Sequence, residues 1–136
     1  MSSGGIQNKY SAGSLNSLGT SYTAIEIKAD GTLGGENIAS QCYLDKLLFT
    51  WKSISTAVNF SWYLAYDSDG EYPITDPQEA IVFKDGKTTG TKVNAFDLAG
   101  AAFIQTAKGP AQTLYVVAKV NAGSANVEAF LLWRGR

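Results

Sequence analysis

Hydrophobic and polar positions alternate with period two through most of this chain, which is the pattern of half-buried β-strands. The clearest case is residues 58–66. There Val58, Phe60, Trp62, Leu64 and Tyr66 share one face, and Asn59, Ser61, Tyr63 and Ala65 share the other. Residues 114–120 alternate too, with Tyr115 and Val117 opposite Leu114, Val116, Ala118 and Val120. In residues 127–133 the apolar face is Val127, Ala129, Leu131 and Trp133. Residues 22–28 place Thr23, Ile25 and Ile27 together. Residues 41–51 place Tyr43, Asp45, Leu47, Phe49 and Trp51 on one parity, with Leu44 and Leu48 on the other. Both faces of that segment are partly apolar, so a strand that is central, or covered on both sides, is expected. Residues 80–84 and 91–98 complete the set, the latter with Phe96 and Leu98 on one face. Residues 99–107 are ambiguous between a helical turn and a strand over 103–106.

Turn chemistry separates these segments. Asp30-Gly31, Asp69-Gly70, Asp85-Gly86, Gly109-Pro110 and the NAGSAN run at 121–126 all punctuate the pattern. About seven to nine short strands at intervals near 8–12 residues, without a confident helix, predict an all-β, antiparallel sandwich of jelly-roll-like form. Residues 21–136 are expected to form that single domain. Residues 1–20 are rich in Gly and Ser, with isolated apolar positions at Ile6, Tyr10, Leu15 and Leu18. They are expected to be an N-terminal arm, either flexible or ordered on a partner.

Composition narrows the chemistry. The chain has 136 residues and a net charge of −1, and its charged fraction is 17 %, low against the usual quarter. Lys and Arg are scattered, so no nucleic-acid footprint emerges. No apolar run suits a signal peptide or a membrane span. A single cysteine, Cys42, allows no internal disulfide and reads as a small buried hydrophobe. Histidine is absent, which removes His-dependent triads, a His general base and His-ligated zinc. Asp67, Asp69, Glu71, Asp76 and Glu79 crowd one stretch without a base. Their spacing departs from a calcium loop, in which Gly follows a third acidic position. A glycosidase needs two carboxylates facing across a cleft, which one crowded loop does not supply. The expectation is therefore no catalytic residue, no metal site and no cofactor. Aromatic residues, Tyr63 and Tyr72 foremost among the exposed ones, keep a carbohydrate-binding module as the alternative.

The Gly/Ser-rich start, the aromatic strand entering DSDGEYPIT at 67–75, and LYVVAKVNAG at 114–123 followed by AFLLWRG at 129–135 give residues 22–135 a recognisable style. It resembles the small β-sandwich structural proteins of tailed-bacteriophage particles. That resemblance implies a non-enzymatic capsid decoration or cement subunit, or a tail or fibre adhesion component. The implied partners are the major capsid protein or other virion subunits and further copies of the chain, as a trimer. It also implies a place in the virion after assembly in the host cytoplasm. The residues expected to make the contacts are Ile6, Tyr10, Leu15 and Leu18 of the arm, and Asp69, Gly70 and Tyr72 of the acidic loop.

Overall fold

The computed structural model describes residues 8–39, 41–52, 58–82, 92–104 and 114–135. Among the described residues there are eight strands: β1 (Asn8–Leu18), β2 (Thr23–Ile27), β3 (Gln41–Lys52), β4 (Asn59–Ala65), β5 (Gln78–Ile81), β6 (Lys92–Ile104), β7 (Leu114–Val120) and β8 (Ala125–Gly135). They form two four-stranded sheets, in the orders β1-β8-β3-β6 and β2-β7-β4-β5. Every pairing is antiparallel. The two inner faces enclose one core, as in a sandwich.

The alternation read from β4, β7 and β8 is what fills this core. Phe60, Trp62 and Leu64 are buried from β4, and Val127, Ala129, Leu131 and Trp133 from β8. Aromatic rings crowd its middle. Phe49 stacks on Trp51 at 5.7 Å and meets Phe60, Trp62 and Phe96 at 5.3, 5.8 and 5.8 Å. Ring edges and faces at such distances attract beyond the area they bury. Among the described residues, the indole N–H groups of Trp51 and Trp62 have no hydrogen-bond acceptor. Both indoles pack against neighbouring rings.

Residues 8–18, expected within an arm, are instead the edge strand β1. They pair with β8 from Asn8↔Arg134 to Leu18↔Ala125. The inward positions are small where the sheets close on each other. A Cβ at Gly13 would run into the Glu26 carbonyl and approach Ile25 Cγ2 at 3.0 Å. Ser11 is wholly buried, and there it accepts the Trp133 indole N–H at 3.0 Å while donating to the Glu36 carbonyl. Ala12 and Lys28 exchange backbone hydrogen bonds at 2.9 and 3.0 Å, tying β1 to the end of β2. Ser11→Ala strips the partner from two polar groups at once. It should cost about 1–3 kcal/mol, seen as a lower denaturant midpoint at unchanged slope.

In β3 the expected parity breaks at Asp45. The register shifts between Leu44 and Lys46 against both neighbours, β6 and β8. One extra residue at this bulge moves the sequence to the other face. Cys42 and Leu44 are therefore buried before it, and Leu47, Phe49 and Trp51 after it, whereas Tyr43 leaves the core face. The strand is central, as expected. Burial pushes the Cys42 thiol up to about 11, with Asp45 adding to the effect, so it is inert at neutral pH. The ambiguous stretch after residue 98 is strand to Ile104, entered through Ala99 and Gly100 at positive φ (56° and 69°). The segment expected at 80–84 is strand at Gln78–Ile81. The Asp85-Gly86 turn lies outside the described residues.

Candidate functional site

The acidic loop between β4 and β5 is built for shape. Asp67 begins it. Its carboxylate accepts the backbone N–H groups of Glu71 and Tyr72 at 3.1 and 2.9 Å, and its carbonyl accepts that of Gly70 at 3.2 Å. Gly70 has φ +72°, and an added Cβ would strike the Tyr63 hydroxyl. That hydroxyl donates to the Gly70 carbonyl at 3.0 Å. Tyr66 N–H donates to the Tyr72 carbonyl and Ile74 N–H to that of Leu64. The Leu64 N–H in turn donates to Thr75 Oγ1. The loop is thus laced back onto β4, with Asp67 as its internal cap.

Burial pushes the Asp67 carboxyl up, but the backbone N–H donors outweigh it, and the net position is below the usual 3.8. The capping stabilisation is therefore complete above pH 3.8 and lost as pH falls through the depressed value. The amide resonances of Glu71 and Tyr72 should follow an acid titration with a midpoint under 3.8. A midpoint at or above 3.8 would refute the capping role.

Of the expected contact residues, Asp69, Gly70 and Tyr72 stand together on this loop. Tyr72 is 66 % exposed, its ring clear of the core. Tyr10 lies on the other sheet, against Phe130 at 6.3 Å, with its hydroxyl donating to the Leu33 carbonyl. Leu18 is fully buried and Leu15 packs on the core. These two therefore serve the fold, because β1 is a strand of the sandwich. Ile6 lies outside the described residues. Tyr63, expected to be exposed, is half-buried under the loop.

What the sequence did not single out is the outer face of the first sheet. Register aligns one apolar row across all four strands: Ala12 of β1 beside Phe130 of β8, Phe130 beside Leu48 of β3, and Leu48 beside Ala95 of β6. Tyr10 and Leu132 extend it on one side, and Thr50 and Val93 on the other. Phe130, Leu48 and Leu132 are half-buried and Ala95 and Val93 are exposed, whereas Ala12 is wholly covered and ends the row on the β1 side. Charges stand towards the strand ends, and the face balances them itself. Arg134 Nε donates to both oxygens of Asp45 at 3.0 and 2.8 Å, and its guanidinium stands 5.4 Å from the Tyr43 ring centre. The hydrogen bond that Arg134 donates to Asp45 raises the Arg134 pKa further. Lys52 bonds Glu128 at 3.0 Å, and Lys46 lies opposite Asp97 in register. The cations Lys46, Lys52 and Arg134 are balanced by Asp45, Asp97 and Glu128. An apolar centre with a polar, internally neutral rim is the anatomy of a protein contact surface. The signal in the sequence was Phe130 and Leu132 on the parity opposite Leu131 and Trp133 in β8.

Among the described residues, no three His, Cys, Asp or Glu side chains converge as metal ligands, and no helix is long and apolar enough to cross a membrane. No protein-family model matches the sequence, and no curated protein matches it.

Proposed function

We propose that this chain is a virion structural protein of the tailed-bacteriophage kind, a capsid decoration or cement subunit that acts through contact and catalyses nothing. The observation that carries the reading is the outer apolar row Phe130–Leu48–Ala95, flanked by Tyr10, Leu132 and Val93, with its charge-balanced rim. The strand orders β1-β8-β3-β6 and β2-β7-β4-β5 support a jelly roll, the double Greek key used by many capsid and lectin domains. Fold alone does not assign function, so the face has to carry the argument.

The face suits an assembled particle. Four strands at about 4.8 Å spacing and about eight residues at 3.3 Å each give roughly 500 Å² per copy. The face and an equal area of a different patch on its neighbour together reach about 1,000 Å², the lower edge of specific interfaces. One junction is therefore weak, and many copies on a shell multiply it. Because two rim cations are paired within the sheet and Lys46 faces Asp97 in register, the face meets a neutral, apolar partner surface at little electrostatic cost. A further copy of the chain or a neighbouring shell subunit fits that description. In this reading the sheet, rather than an arm, supplies the cement.

Light scattering tests the surface directly. The wild-type chain should give a multiple of 14.5 kDa, with a trimer as the proposed state. Leu48→Arg sets a charge in the middle of the row and should return the single-copy mass at an unchanged unfolding temperature. A single-copy mass for the wild type, or an undisturbed oligomer in Leu48→Arg, would contradict self-association through this face.

A further inference from the structure

The second sheet carries a groove on its own outer face, of about 690 Å³, within the range of small-ligand sites of about 300–1,000 Å³. Ser61 lies between Glu79 of β5 and Lys119 of β7, its register partners on either side. Asn59 continues the floor beside Ile81. Asn121 is locked to it, accepting the Asn59 N–H on Oδ1 at 3.1 Å and donating its own N–H to the Asn59 carbonyl at 2.9 Å. Ile81 makes one apolar wall and is 57 % exposed. Tyr22 makes the other. Its ring is braced by the Lys119 ammonium at 4.5 Å and by Tyr63 at 5.3 Å. Glu79 has no hydrogen-bond or ion-pair partner among the described residues.

We propose that this groove binds a neutral saccharide chain. A sugar has apolar C–H faces and hydroxyl edges that both donate and accept. It therefore needs apolar walls close to donors and acceptors of both kinds. The groove supplies walls at Tyr22 and Ile81, an acceptor at Glu79, donors at Lys119 and the Asn121 amide NH2, and dual-capacity groups at Ser61 and Asn59. Glu79 and Lys119 cancel in charge, and the Glu79 carboxylate, without a partner among the described residues, repels phosphate or sulfate groups in the same space. The groove is open to solvent and borders the edge strand β5, so a chain can pass through it without a lid. It lies on the sheet opposite the proposed contact face, which leaves both surfaces usable at once.

The test uses the full chain on an array of immobilised neutral and acidic oligosaccharides, followed by titration with the best-retained probe in soluble form. The expected result is retention of a neutral oligosaccharide. Its affinity should fall at least tenfold in Glu79→Ala and in Tyr22→Ala, and stay unchanged in Leu48→Arg. Unfolding temperatures monitor each variant. Should Tyr22→Ala fail to fold, the exposed Glu79→Ala decides alone. Retention of no probe, retention of acidic probes only, or a loss below tenfold in folded Glu79→Ala would overturn the proposal. None of those outcomes touches the assembly reading, which rests on the other sheet and is read by solution mass.

Discussion

Phe49→Ala is expected to lower the unfolding temperature by roughly 10–20 °C. Phe49 is fully buried on the central strand β3 and meets Trp51, Phe60, Trp62 and Phe96. Those rings come from both sheets, so its removal opens a cavity between the layers rather than at an edge. Neighbouring indoles and phenyls are rigid and collapse poorly into such a space. Truncating a buried Phe costs about 3–5 kcal/mol, and each kcal/mol moves the transition by a few degrees in a domain of this size. Calorimetry or circular dichroism measures the shift. A drop of under about 4 °C would mean that the aromatic cluster is not the structural centre.

Removing residues 1–20 should abolish the cooperative fold. As an arm, this segment would be dispensable. As β1 it covers the full length of β8, and it buries Leu18, Ala12 and Ser11. Its loss bares a row of β8 backbone groups. It also removes the acceptor of the Trp133 indole and uncovers the core beside Leu131 and Val127. The truncated chain should show poor amide dispersion by NMR and no sharp thermal transition. A truncated chain that unfolds at the wild-type temperature would make β1 peripheral.

Much of the architecture was legible because alternation survives wherever one face is buried and the strand is regular. Residues 114–120 and 127–133 read correctly for that reason. Residues 8–18 did not, because β1 meets the core through Ser11 and Gly13, chosen for close approach rather than for apolar character. A Gly/Ser strand has the composition of a linker, and only its partner β8 distinguishes the two. Strand β3 was legible as an element but not as a face, since a bulge at Asp45 leaves no mark in residue type. The acidic loop drew attention through its charges, yet Asp67 spends both oxygens on backbone N–H groups. The apolar row was harder still. Ala12, Leu48, Ala95 and Phe130 are far apart in sequence, and only strand register sets them side by side.

A structural subunit held on a particle by the outer face of its first sheet travels with that particle. Sedimentation of purified particles from cells making the chain, with its copy number measured by quantitative mass spectrometry, reads this out. The wild-type protein should sediment with the particles in many copies, and folded Leu48→Arg should stay in the soluble fraction. Wild-type protein left in the soluble fraction, or Leu48→Arg retained on particles at wild-type copy number, would contradict it.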